Sequence, residues 1–225
     1  MKSKIILLTI FCIGFLLMSC EHDNYDAPNA VLSGRIVYED EPVGVRTNGA
    51  QLELWQEGYD LYKKIPVHIS HDGTFSASLF SGQYKLVRLQ GAPWLDQSSD
   101  TITVDVSGRT EVDVPITPYF TIIDESFVNE KNEIIAKFKI NKIVEEAKIH
   151  SVNLYLGKAI LTDHNKNEMS VSLDLDTYII GEETMIKAAL PKSLENNEYI
   201  FARIGVRSDH SNEYLYTQVK KINLK

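Results

Sequence analysis

The sequence predicts an all-β protein: two tandem β-sandwiches behind a cleaved lipoprotein signal peptide. Three observations carry this reading. From Ala30 onward, apolar and polar residues alternate in short runs. Turn signals built on Gly, Asp and Ser separate those runs at about ten-residue spacing, the pattern of sandwich proteins. The stretch Pro115-Ile116-Thr117-Pro118 then divides the runs into two sets. Prolines cannot donate to a strand ladder, and each biases its predecessor toward extended geometry.

The first set opens with Val31-Leu32-Ser33-Gly34-Arg35-Ile36-Val37-Tyr38. Gln51-Leu52-Glu53-Leu54-Trp55 follows, with Leu52 and Leu54 on one face and Trp55 on the other. His71-Asp72-Gly73 reads as a turn into Thr74-Phe75-Ser76-Ala77-Ser78-Leu79, and Ser81-Gly82 as a turn into the run ending Arg88-Leu89. Thr101-Ile102-Thr103-Val104-Asp105-Val106, Ser107-Gly108 and Thr110-Glu111-Val112-Asp113-Val114 read as a hairpin. In the second set Ile134, Ala136, Phe138 and Ile140 face one way, and Lys137 and Lys139 the other. Later strands are expected over residues 150–156, 169–175, 185–190, 199–206 and 214–222. Residues 141–148 read as either a loop or a short helix.

The N-terminus gives an address. Lys2 and Lys4 precede an apolar block running from Ile5 to Met18, the layout of a secretory signal and too short for a comfortable membrane span. It ends in Leu17-Met18-Ser19-Cys20, which resembles the bacterial lipobox. The alternative is a plain signal with a chance cysteine. With a lipobox, residues 1–19 are removed, and Cys20 carries acyl chains such as palmitate. Each buried methylene contributes about 0.8 kcal/mol, so two or more chains anchor a domain stably. Residues 20–29 then form an acidic tether, Glu21-His22-Asp23-Asn24-Tyr25-Asp26 within it. It resembles the export tag of surface lipoproteins, or serves as a generic solvated spacer. The expected location is the outer membrane, facing the exterior, with the periplasmic face as the alternative.

Net charge is -8, and loss of Lys2 and Lys4 makes the mature chain more acidic still. Such a surface disfavours nucleic acid and anionic lipid headgroups as partners. Of the two cysteines, Cys12 lies in the signal and Cys20 is the lipidation site, so stability must come from core burial.

Motifs for chemistry are weak. His68-x-x-His71-Asp72 suggests a metal, but strand alternation sets residues 68 and 71 on opposite faces and further ligands are missing. Asp174 and Asp176 would share a strand face, as would Asp105 and Asp113 across a hairpin. Paired carboxylates serve glycoside cleavage or calcium, yet alternating acids on a strand read first as its wet face. There is no nucleophile elbow, phosphate loop or dinucleotide fingerprint. No catalytic residue, metal or cofactor is expected.

Aromatic residues are the better candidates. Sugar rings present C–H patches to flat aromatic faces, with a few polar groups fixing orientation. Trp55, Tyr59 and Tyr62 would form a patch or cover the domain junction, and Tyr214 and Tyr216 would do likewise on the last strand. Trp94, in a loop after Gly91-Ala92-Pro93, reads as a plug over the core in preference to an exposed platform.

These residues resemble known modules. Gly34-x-Ile36, Gly49-Ala50-x-Leu52-x-Leu54, Asp72-Gly73-x-Phe75 and Gly82-x-Tyr84-x-Leu86 resemble the carboxypeptidase regulatory-like domain, a transthyretin-type sandwich, across most of residues 30–90 of a domain expected over 30–118. Arg46-Thr47-Asn48 is an insertion relative to its short form. That resemblance implies a scaffold and no peptidase activity. Residues 119–225 resemble a fibronectin type III or immunoglobulin-like sandwich, with Leu194 and Tyr199 suggesting a tyrosine corner one residue short of its usual spacing. Tyr25-Asp26-Ala27-Pro28, Gly91-Ala92-Pro93-Trp94 and Ile116-Thr117-Pro118-Tyr119-Phe120 extend the likeness end to end. The whole resembles a Bacteroidetes lipoprotein family, domain of unknown function 3823, whose members often sit beside outer-membrane glycan-uptake genes.

The expectation is a non-enzymatic surface lipoprotein that assists glycan uptake by binding glycan. The alternatives are a structural lipoprotein docking on a neighbouring lipoprotein or transporter, and a calcium-dependent adhesin-like component.

Overall fold

The computed structural model describes residues 26–58 and 62–225. The signal peptide, Cys20 and most of the acidic tether lie outside the described residues, as does Tyr59. Among the described residues no helix is long and apolar enough to cross a membrane.

The first sandwich is built from eight strands: β1 (Ala30–Tyr38), β2 (Glu41–Pro42), β3 (Gln51–Trp55), β4 (Ile65–His68), β5 (Thr74–Leu79), β6 (Gly82–Arg88), β7 (Ile102–Val106) and β8 (Arg109–Pro115). In one sheet β1 pairs antiparallel with β2 and β5 and parallel with β8. The other sheet runs β4-β3-β6-β7. Alternation places Leu32 and Ile36 of the first sheet against Leu52, Leu54 and Leu86 of the second, all fully buried. At Arg88 the same inward face carries a guanidinium, which closes the end of the sandwich. It donates to the carbonyls of Pro115 and Asp100, both at 2.7 Å, and to the Asp100 carboxylate at 2.6 Å.

The hairpin expected over residues 101–114 does not form. Strand β7 pairs with β6, while β8 crosses to the other sheet and pairs with β1. The reason is local. Gly108 takes φ 55, and its carbonyl accepts from Val31 N–H at 2.7 Å, which fastens the chain to β1. Asp105 and Asp113 therefore stand in different sheets. Asp105 accepts from Gln83, and Asp113 pairs with Arg35.

The second sandwich comprises β9 (Phe120–Glu130), β10 (Glu133–Lys142), β11 (Ile149–Gly157), β12 (Met169–Ser172), β13 (Glu183–Ala189), a single-turn helix α1 (Lys192–Glu195), β14 (Tyr199–Ser208), β15 (Leu215–Tyr216) and β16 (Lys220–Asn223). One sheet is β13-β10-β9; the other is β12-β11-β14, with β15 and β16 both on β14. Ile134, Ala136, Phe138 and Ile140 are buried as the alternation requires, facing Val152, Leu154, Ile200 and Ile204. Lys139 points outward and pairs with Asp124 at 2.8 Å.

One open alternative is settled as a loop, and three local expectations are corrected. Residues 143–148 form a turn without helix, closed by Ala147 N–H on the Val144 carbonyl at 3.1 Å. Strand β12 stops at Ser172, and Asp174 accepts from the Asp176 N–H at 3.1 Å inside a turn, so the two acids share no strand face. The last strand breaks into β15 and β16 because Thr217 and Gln218 turn their side chains to other partners. Leu194 is buried in α1, but Tyr199 stays 38% exposed beneath Lys221, so its ring does not plug a tyrosine corner. The alternation also does not announce β9. Its register shifts opposite residues 137–139, where Asp124 takes φ 55.

The two sandwiches share one apolar core, which runs without a break from Ala30 to Ile222. Trp94 bridges to Pro118 in the linker. Across the junction the Tyr216 N–H donates to Gly44 at 2.9 Å, and Arg46 clasps Glu213 through two hydrogen bonds of 3.2 and 2.6 Å. At its centre Arg203, fully buried, donates to the carbonyls of Val45 and His71 in the first sandwich, both at 3.2 Å. It also donates to Thr217 at 3.1 Å, and its guanidinium lies 4.1 Å over the Tyr216 ring. Burial lowers its pKa to about 10, which leaves it charged at neutral pH.

Candidate functional site

Strand β3 ends at Trp55, directly opposite Lys85 of β6. Because Leu52 and Leu54 point into the sandwich, Trp55 points out, and its side chain is half-buried. Tyr62 returns to it from the β3–β4 connection. The two rings stand 4.9 Å apart at 35°, and Tyr62 is 52% exposed. Beside them lies a recess of about 220 Å³ lined by Trp55, Gln56, Glu57, Gln83, Tyr84 and Lys85. Within it Lys85 and Glu57 form an ion pair. The hydrogen bond from Lys85 holds the Glu57 carboxyl below its ordinary range, and the same contact raises the Lys85 ammonium. Gln83 donates to Asp105 at 3.0 Å, which fixes its amide at the edge of the recess. The arrangement offers an aromatic face, an amide pair and a bound ion pair on one surface. It offers no nucleophile with an adjacent base.

The other expected site residues sit elsewhere. Trp94 is 2% exposed, as a plug over the core would be. Tyr214 and Tyr216 are also buried and pack on Tyr155. The Tyr214 hydroxyl lies 2.9 Å from Ser151 Oγ and accepts from Asn153 at 3.3 Å. The Tyr216 hydroxyl accepts from the His164 N–H at 3.2 Å. All three rings are closed to a ligand, and Tyr216 instead serves the domain junction. Gly205 makes that packing possible, since a Cβ there would stand 2.8 Å from the Tyr216 ring.

His68 is exposed on β4, while His71 lies at the junction with its carbonyl accepting from Arg203. The Asp72 carboxylate accepts from the Thr74 N–H and hydroxyl, closing the turn. Burial pushes the Asp72 carboxyl up, but the Thr74 bonds outweigh it and hold it below the usual range. Among the described residues, no group of three acidic, histidine or cysteine side chains comes together to hold a metal.

Sequence reasoning missed Arg203, Arg88 and Gln218. The available signal was an arginine at a position flanked on both sides by apolar residues, as in Ala202-Arg203-Ile204.

Comparison with known proteins assigns the chain. The model for the N-terminal domain of a protein of unknown function, DUF3823, matches residues 30–117. The model for the C-terminal domain of unknown function, DUF3823_C, matches residues 120–221. A DUF3823 structure from Bacteroides ovatus is 43% identical, with TM-score 0.83, over 88% of this chain and 100% of that one. The chain belongs to the DUF3823 family. A second DUF3823 structure, from Parabacteroides merdae, is 32% identical over the same shares, with TM-score 0.81. A candidate carbohydrate binding protein from Bacteroides uniformis shares the DUF3823 architecture at 18% identity and TM-score 0.70, again over 88% and 100% of the two chains. No curated protein matches the chain.

Proposed function

We propose that this DUF3823 protein is a non-enzymatic lipoprotein, anchored through Cys20 in the outer membrane, that binds glycan as an accessory of a glycan-uptake system. The observation that carries the glycan reading is the Trp55–Tyr62 pair beside a polar recess. An aromatic face takes the C–H side of a sugar, while Gln83, Glu57 and Lys85 supply donors and acceptors for its hydroxyls. The Bacteroides uniformis relative lends support through its description, and its shared fold makes the comparison apt. The anchor rests on the lipobox residues Leu17-Met18-Ser19-Cys20.

A calorimetric panel of plant and host polysaccharides tests the ligand. Trp55→Ala is expected to weaken the best binder at least about tenfold, the equivalent of losing one ring contact of about 1.4 kcal/mol. Its melting curve should stay near that of the parent, because the ring lies outside the core. Equal affinity in parent and variant would dismiss the patch. The anchor has its own test: Cys20→Ala should abolish palmitate labelling and release the protein from membranes, and retention without label would refute it.

A second reading, docking on a neighbouring lipoprotein, is favoured by exposed apolar side chains near β13. Ile179 and Ile180 are 61% and 40% exposed on the loop leading to it, and Met185 is 47% exposed on its outer face. Co-purification of a partner without binding to any polysaccharide would select it.

A further inference from the structure

A separate cleft lies between the sandwiches, with a volume of about 530 Å³. That is within the usual span of small-ligand sites, which form preferentially at domain junctions. Its walls come from the β1–β2 turn, from the first half of β9, from β10 and from residues 215–218. They are held by interdomain hydrogen bonds. Gln218 donates to the carbonyls of Pro42 and Asp72 at 3.3 and 3.2 Å, and the Tyr216 N–H is fixed on Gly44. The cleft is therefore preformed and needs no closing motion.

Its lining has two parts. Val43, Ile122, Ile143 and Leu215 supply an apolar surface, with Tyr38 beside them. Glu39, Glu41, Asp124 and Glu125 supply carboxylates, and among the described residues no Lys, Arg or His lines the cleft. Asp124 is engaged by Lys139 at 2.8 Å. Glu41 and Glu125 form no ion pair among the described residues and are exposed to solvent, while the Arg35 guanidinium, bound to Asp113, also feels the Glu41 charge. The carboxylates do not converge as a metal-ligand set, since no such group of three exists among the described residues. Thr121, Asn141, Thr217 and Gln218 add hydroxyl and amide groups between the charged and apolar parts.

We propose that the interdomain cleft is a second binding site, for a hydroxylated amine of the amino-sugar class. The cavity volume, the apolar surface and the unpaired carboxylates each match one part of such a ligand. Its ring packs on the apolar surface, its hydroxyls meet the amides and threonines, and its ammonium is held at the acidic wall by Glu125 or Glu41 through a charge-assisted hydrogen bond. A neutral sugar leaves those acids unused, and an acidic one is repelled by them. This site is independent of the Trp55–Tyr62 reading.

The test is calorimetry of the full chain with a β-1,4-linked glucosamine oligomer at mildly acidic pH, beside its N-acetylated counterpart. Binding of the free-amine oligomer is expected, weakened by added salt. The acetylated oligomer and the double variant Glu41→Gln, Glu125→Gln should each bind at least about tenfold more weakly, the loss of one charged hydrogen bond. Both substituted positions are exposed, so folding should be preserved and is checked by melting. Weakening by the double variant is what assigns the oligomer to this cleft and not to the aromatic patch. Absence of binding by the free-amine oligomer, equal binding of the acetylated form, or an unaffected double variant would each overturn the proposal.

Discussion

Arg203→Leu is expected to lower the stability of the whole chain by about 3–5 kcal/mol, read as a fall in denaturant midpoint. The leucine fills part of the volume but donates nothing. The carbonyls of Val45, His71 and Thr217 then lose their shared donor in a place water does not reach. The Val45 and Thr217 carbonyls are orphaned at about 1–3 kcal/mol each, while the His71 carbonyl keeps the Val45 N–H at 3.2 Å, and relaxation recovers part of the sum. The stacking of the guanidinium on Tyr216 at 4.1 Å is lost as well. Two of the three acceptors belong to the first sandwich, so the damage is to the junction. Limited proteolysis should therefore begin to cut near the linker at residues 115–119. Arg203→Lys should fall between parent and leucine variant, because one ammonium cannot span the positions a planar fork reaches. A leucine variant with an unchanged midpoint would show that the junction does not depend on this side chain.

Gly34→Ala should be nearly as damaging, at about 3 kcal/mol or more. A Cβ at that position would stand 1.8 Å from the Val112 carbonyl oxygen and 2.9 Å from the Phe75 ring. The first obstacle is backbone, and it belongs to the parallel ladder in which Gly34 sits opposite Val112. Relief requires β8 to move away from β1, which breaks the only parallel pairing in the described residues. Gly58→Ala makes the comparison useful. Gly58 has φ 92 and nothing within 4 Å of an added Cβ, so alanine meets only the conformational penalty there, about 1 kcal/mol. If the two substitutions had equal cost, the close approach of β1 and β8 would not be the reason for Gly34.

Gly34 also shows how far the sequence could be read. Its position in the alternating run placed it correctly on β1, but nothing nearby revealed that β8, some seventy-five residues later, would lie against it. The hairpin expected at Ser107-Gly108 failed for the same reason. A glycine turn permits the chain either to fold back or to cross to the facing sheet, and the choice depends on which edge is open. The aromatic candidates divide similarly. Trp55 was placed outward by the inward Leu52 and Leu54, and Tyr62 was close enough in sequence to join it. Tyr214 and Tyr216 alternate just as well, yet the first sandwich and the loop at His164 cover them.

The sequence by itself determined the all-β class, the inward faces of the long strands and the polar faces opposite, because side-chain alternation is a property of a single strand. Tertiary structure alone decided that β7 and β8 part company, that Arg203 is buried at the junction, and that a cleft opens beside it. Those outcomes require surfaces from distant parts of the chain to meet. No local periodicity encodes which surface a strand will find.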